Sequence, residues 1–243
     1  MSRPTPVERM LQRAALYRLC ASALGYPLPG RLAEVARLAG RAAQAAEGAL
    51  RARLVALVDA MRDVDDAAAA AEYVALFDGA VRCPSCEGAY GPPQMAGKAA
   101  QLADIGGFYA AFGLEPAREQ ADVEDHIATE LEFMSLLAVK EAWALAEGHH
   151  EQAEISRDAA VAFLTDHLGR WAAAFATTLA ETSALPYYRA VAGLLDTWVS
   201  DDALGLGATL TPLATAPGDR AEADSFDCPL TTDPTLETDP TPD

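Results

Sequence analysis

The chain of 243 residues has almost no strand signal, since no sustained alternation of Val, Ile, Thr and aromatic residues runs through it. That excludes a sheet-based architecture. No stretch approaches the roughly 20 consecutive apolar residues of a membrane span, so stable membrane insertion is not expected. The basic amphipathic start is interrupted by Glu8, Gln12 and Arg13, which excludes the apolar core of an export signal and favours a cytoplasmic location. Cysteines are few: Cys20, Cys83, Cys86 and Cys228 are no disulfide framework for a chain this long. The phosphate-binding pattern Gly-x-x-x-x-Gly-Lys-Ser/Thr, the Gly-x-Ser-x-Gly nucleophile elbow and the His-Glu-x-x-His zinc motif are all missing. Gly106 and Gly107 lie in a helical stretch without the dinucleotide pattern. Nothing assembles a nucleophile, a base and an oxyanion hole, so no enzyme is expected.

Positive charge is scarce as well. The net charge is −18, and it is unevenly spread: residues 1–64 sum to +5 and the remainder to −23. Such a balance argues against nucleic-acid binding, which needs a basic face for phosphates. It permits a cationic partner, steered by the acidic surface.

What is abundant is alanine and helical periodicity. Helices are predicted over Val7–Leu24, over 31–39 and 44–62, and from the alanine run 67–71 into "EYVALFDG", with Gly79 as its stop. Residues 94–112 form another, ending at Gly113. Asp122 is the expected N-cap of a helix reaching about Glu147, with Glu124 and Asp125 in its first turn and Gly148 closing it. Residues 151–181 continue as helix, and a last one opens at Pro186. The expected fold is therefore all-α, a single-domain bundle of roughly nine or ten helices over residues 1–207. Residues 208–243 hold six Pro, eight acids, one base and a single aromatic, Phe226, so an acidic, mostly disordered tail is expected. "SFDCPL", 225–230, is its one apolar island.

Two segments carry candidate chemistry. In "ADVEDHIATELEFM", residues 121–134, His126 and Glu130 form an i, i+4 pair and Asp125 points to an adjacent face. The segment suits a capped helix with a satisfied histidine, a metal site, acid–base chemistry, or recognition of another polypeptide. The metal reading lacks partners, because the sole Glu-x-x-His, Glu147–His150, sits beside Gly148 at a helix end. Ile127, Leu131, Met134, Ala138 and Leu145 share one sector, with Leu136, Val139 and Trp143 on another side, so neighbours are expected all round this helix. The second segment is "CPSC", in which Cys83 and Cys86 are half of a zinc site, a redox dithiol, or incidental thiols in a loop. No second pair of ligands and no strand–motif–helix setting accompanies them.

"EYVALFDG", "CEGAYG" and "DHIATELEFMSLLA", in that order, resemble the TorD/DmsD/NarJ family of cytoplasmic molybdoenzyme chaperones. Within it the chain is most similar to chaperones of the type II branch of the DMSO reductase family, over about residues 8–200. The resemblance implies an all-helical, non-catalytic protein without a cofactor of its own, monomeric or dimeric. It implies binding of the apo catalytic subunit of a molybdenum oxidoreductase, often through its twin-arginine signal peptide. Export is thereby held back until the molybdenum cofactor is inserted. By motif match, Asp125 and His126 would sit at the peptide groove, and Tyr73, Leu76 and Phe77 would offer apolar contacts. Glu87 and Tyr90 match the Glu and second Tyr of the family's Tyr-Glu-x-x-Tyr loop. A groove mouth with Asp125 and Glu130 beside Phe133 would suit the cationic front and apolar middle of such a peptide. Two positions depart from the pattern: Cys86 replaces the first Tyr, and Glu124 replaces the usual Pro before the Asp-His pair. The alternative is a metal- or thiol-dependent redox protein built on Cys83 and Cys86. Metal analysis of the purified, reduced protein separates the two. The chaperone expectation is no stoichiometric metal, whereas one equivalent of zinc or iron would favour the redox alternative.

Overall fold

The structure, a computed structural model, describes residues 4–78, 81–91, 95–114 and 124–213. Asp122, Gly79 and most of the acidic tail, with Phe226 and Cys228, lie outside the described residues. Among the described residues there are nine α-helices and no strand beyond one isolated bridge, Cys86 to His126. They are α1 (Pro6–Leu24), α2 (Arg31–Ala45), α3 (Gly48–Ala60), α4 (Asp66–Phe77), α5 (Met95–Ala111), α6 (Ile127–Ala146), α7 (His150–Phe163), α8 (Gly169–Thr182) and α9 (Pro186–Leu206). A 3-10 turn, Glu87–Ala89, lies between α4 and α5. None of these helices is long and apolar enough to cross a membrane.

Local chemistry accounts for the ends. Thr5 and Glu8 close a capping box on α1, with Pro6 at the first helical position. The Asp65 carboxylate caps α4 through the Ala68 N–H. Gly207, at φ 79°, ends α9 in the left-handed conformation that glycine adopts without steric cost.

The all-helical expectation holds, with four local corrections. First, α2 runs on to Ala45, through Gly40; the left-handed residue that redirects the chain is Gly48, at φ 56°. Second, α6 starts at Ile127 with His126 as its N-cap, so Glu124 and Asp125 precede the helix instead of forming its first turn. Third, residues 151–181 are not one α-helix: Leu164–Leu168 form a π-helical turn between α7 and α8. Fourth, α6 is not enclosed all round. Ile127, Leu131, Met134 and Ala138 are buried, but Val139 is 44% and Trp143 58% exposed.

α1 packs most extensively on α6, α7 lies on α6, α8 on α9, and α3 joins α2 to α9. Tyr17, Leu131, Phe163, Trp171, Phe175 and Tyr188 are among the fully buried side chains of the common core. Beyond α9 the chain continues against the body: Ala208, Leu210 and Leu213 pack on the core, and the Leu213 N–H donates to the Arg170 carbonyl at 2.9 Å.

One buried polar cluster ties three helices together. Arg13 Nε of α1 donates to both Asp202 oxygens of α9 at 2.8 and 2.9 Å, and its Nη1 reaches Glu141 Oε2 of α6 at 3.3 Å. The Tyr17 hydroxyl donates to Asp202 Oδ2 at 2.6 Å. Desolvating these charges is costly, so the cluster holds only while every partner is present. Asp202→Ala should therefore lower stability by about 3–5 kcal/mol in urea unfolding. Replacing the trio together (Arg13→Met, Glu141→Gln, Asp202→Leu) should lose less than the single substitution.

Candidate functional site

The loop after α4 is held from both sides. At its start the Leu76 carbonyl, at the end of α4, accepts from Arg82 N at 3.1 Å and Cys83 N at 2.9 Å. Further on, residues 85–87 pair with residues 125–127: Ile127 N donates to Ser85 O at 2.8 Å, and Glu87 N donates to Asp125 O at 2.9 Å. The fully buried Asp125 carboxylate then accepts from Gly88 N at 2.9 Å. A Cβ at Gly88 would stand 3.0 Å from that carboxylate oxygen and 3.4 Å from Lys98, which gives the glycine of "CEGAYG" a packing reason. The extended backbone at His126 turns its ring toward the new helix, where Nδ1 accepts from Ala128 N at 3.1 Å. Asp125 and His126 thus latch a loop and cap a helix; they are not presented outward as an acidic groove mouth.

The latch fixes what the loop carries. Glu87, 1% exposed, meets His167 Nδ1 at 3.1 Å, and His167 Nε2 meets the exposed Asp104 at 3.2 Å. Each ring nitrogen of His167 thus faces one carboxyl group, and the tautomer decides which of them receives its proton. Tyr90 donates its hydroxyl to the Pro84 carbonyl at 2.8 Å and sets its ring 5.1 Å from that of Trp171. The Trp171 indole N–H donates to Glu130 Oε2 at 3.1 Å. Phe133 lies inside an aromatic cluster with Tyr109 at 4.9 Å and Phe163 at 4.8 Å. Tyr73 and Phe77 belong to a further run of rings, 4.8 Å apart, which continues through Phe175 to Trp171.

All nine residues singled out from sequence therefore share one seam, but most are inside it. Leu76, Glu87, Tyr90, Asp125, Glu130 and Phe133 are buried, and Tyr73, Phe77 and His126 are half-buried. The residues missed were His167, Trp171 and Asp104. His167 lies in the π-helical turn, a local widening often found where a helix carries function. A signal for it was present in "HLGRW". A Cβ on Gly169 would lie 2.3 Å from the Leu164 carbonyl oxygen and 2.4 Å from Leu210, so only glycine fits after this turn.

Above the seam opens a cleft of about 870 Å3. Glu87 and Tyr90 are in its lining, with Gln101 and Asp104 from α5, Asp166 and His167 from the π turn, Arg170 from α8, and Leu213. Three carboxylates face one arginine there, so the cleft favours cationic groups.

The cysteine pair lacks the character of a redox centre. Burial pushes the Cys83 thiol up to about 12, and burial together with Asp125 pushes Cys86 up to about 11. A reactive dithiol needs the opposite shift. Among the described residues no three His, Cys, Asp or Glu side chains converge as metal ligands.

The described residues thus form an all-helical bundle with a latched loop beneath an acidic cleft. Residues 43–177 match the nitrate reductase delta subunit family, and the chain belongs to that family. This agrees with the TorD/DmsD/NarJ resemblance carried by "EYVALFDG", "CEGAYG" and "DHIATELEFMSLLA". The chain is 33% identical over 115 residues to the chlorate reductase assembly chaperone protein of Ideonella dechloratans, covering 46% of this chain and 58% of that one. It is 33% identical over 114 residues to the selenate reductase assembly chaperone protein of Thauera selenatis, with the same coverage. The match thus spans little more than half the length of these relatives. A crystal structure from Archaeoglobus fulgidus, provisionally assigned to redox enzyme maturation, overlaps 85% of this chain and 97% of its own at 18% identity. Its TM-score is 0.48, too low to support an argument.

Glu130 generates a pH prediction. Burial first, then the nearby Glu87 and Asp125, hold its carboxyl well above the ordinary 4.5, against the Trp171 indole N–H. A raised folded-state pKa means that the protonated form supports the fold. This contribution is complete below about 4.5 and is lost as pH rises through the higher folded value. Glu130→Gln cannot ionise, so its stability relative to the native chain should improve steadily from pH 4.5 upward in urea unfolding. A difference that stays flat over that range would mean Glu130 is not held protonated.

Proposed function

We propose that the protein is an assembly chaperone, not an enzyme, for a molybdenum oxidoreductase of the DMSO reductase family. In this reading it acts in the cytoplasm, binds the apo catalytic subunit together with its twin-arginine signal peptide, and assists cofactor insertion before export. Family membership and the two named relatives support the general role. The observation that carries the binding mode is the acidic cleft over the seam, where Glu87, Asp104 and Asp166 stand around His167.

An arginine side chain entering the cleft meets carboxylates that accept two parallel hydrogen bonds from a guanidinium. Asp104 is exposed and already oriented by His167, whose other nitrogen rests on the buried Glu87. The apolar part of the peptide would lie as a helix against the half-buried Tyr73 and Phe77 at the edge of the seam. Asp125, His126 and Glu130 act from beneath, by keeping the loop and Trp171 in place. Tyr73, Leu76, Phe77 and Phe133 belong to the same seam.

The test is titration calorimetry with a synthetic twin-arginine signal peptide from a molybdenum oxidoreductase precursor. Asp104→Asn combined with Asp166→Asn should weaken binding about tenfold or more, as expected for lost charge-assisted hydrogen bonds. Binding to the native chain should also weaken as salt is raised. Unchanged affinity in the double variant would remove the cleft from the binding site.

A further inference from the structure

A second concavity, of about 830 Å3, shares no lining residue with the acidic cleft. It lies between the first half of α1, the end of α2 and the end of α9. Leu11, Leu16, Leu38 and Trp198 supply apolar lining, and Leu11 is 50% exposed. The charges here have the opposite sign to those of the cleft. Arg9, Arg41 and Arg157 all line the groove, and none forms an ion pair with a carboxylate among the described residues. The one acid in the lining, Asp202, is taken up by Arg13 and Tyr17. Two donors of the lining residues, Arg13 Nη2 and Trp198 Nε1, have no acceptor among the described residues.

Arg9 donates to the Pro4 carbonyl at 3.0 Å and Arg157 to the Leu206 carbonyl at 3.4 Å, so both keep their charge without a carboxylate ion pair among the described residues. An apolar wall among such arginines fits an acidic segment with an aromatic anchor, and it repels an arginine-rich one. We propose that the groove holds this chain's own Asp224–Leu230 segment, with Phe226 and Leu230 on the apolar wall and Asp224 and Asp227 facing the arginines. Residues 214–243 carry eight acids against one base, and Phe226 is their sole aromatic residue. The path is short enough. Leu206 lines the groove, and the chain then runs to Leu213 beside Gly91 and the Arg170 carbonyl. Seven residues separate those two leucines, at most about 25 Å, whereas the 13 residues from Leu213 to Phe226 reach up to about 45 Å. The tail can therefore fold back. A tether of this length gives an effective concentration on the order of millimolar, so a weak contact suffices.

Cys228, inside the segment, serves as the probe. Leu11→Cys in the full chain places an exposed thiol in the groove, and Val74→Cys on α4 places one outside the groove lining. Under mild oxidation with oxidised glutathione at micromolar protein, the groove thiol should cross-link to Cys228 within one chain. The rate should exceed that of the Val74 variant by about tenfold. Phe226→Ala and high salt should both slow the reaction. Equal rates from the two positions would overturn the proposal. So would cross-links formed only between two chains, which would make a second copy the occupant. The indole N–H resonances of Trp143 and Trp198 give an independent reading. Removing residues 214–243 should shift Trp198 and leave Trp143 in place; an unmoved Trp198 signal would also overturn docking.

Discussion

Two main-chain hydrogen bonds organise the functional face: Ile127 N to Ser85 O and Glu87 N to Asp125 O. They join segments some forty residues apart in sequence, and each is worth only about 1 kcal/mol net. Their consequence is geometric. With residues 85–87 fixed against 125–127, the Asp125 carboxylate meets Gly88 N, and the His126 ring is left to cap α6. Glu87 then falls under His167, and Tyr90 falls on Trp171. Without the latch, loop 81–91 would keep its main-chain bonds to Leu76 at the end of α4, but the placement of Glu87 and Tyr90 in the cleft lining would rest on their side-chain contacts alone.

This arrangement places three carboxyl groups where carboxyl groups are costly. Glu87, Asp125 and Glu130 are each at most 1% exposed, and each keeps one oxygen without a partner. Apolar side chains of similar size would serve stability better. Part of the cost is offset by the neighbouring core, where Phe133, Phe163, Trp171 and Tyr188 are fully buried. Burial pushes the Glu130 carboxyl toward its neutral form, while Glu87 lies against His167. Local rules of this kind are typically broken where function requires it. Here only Glu87 of the three reaches the cleft, and the other two set the positions of its neighbours.

How much of this was legible in the sequence follows from range. Helices announce themselves through periodicity over a few turns, so their order was readable, and Pro6 and Pro186 marked two of the starts. The Asp-His pair was conspicuous because ionisable groups before an apolar run need a reason. That reason is a contact with Gly88, 37 residues away, which no local pattern encodes. The pair was therefore conspicuous in the sequence, while the burial of Asp125 was not foreseeable. The π turn escaped because a repeat of 3.6 residues cannot register one extra residue; Gly169 was its sole trace. His167, Trp171 and Asp104 became visible only when α5, α6 and α8 were brought together around the loop.

The two concavities give meaning to a charge distribution that composition alone left ambiguous. The segment richest in arginine, residues 1–64, supplies Arg9 and Arg41 to one groove, while the acidic remainder supplies Glu87, Asp104 and Asp166 to the cleft. Uniform negative charge would serve solubility equally well, but it would not create two surfaces of opposite preference on one chain. At physiological salt the screening length is about 8 Å, so each concavity is read by what enters it and not by the net charge of −18. By sign of charge, the cleft suits a cationic group and the groove an acidic one. Residues 207–213 run from the end of the groove-lining helix to the edge of the cleft, which makes them the physical link between the two surfaces.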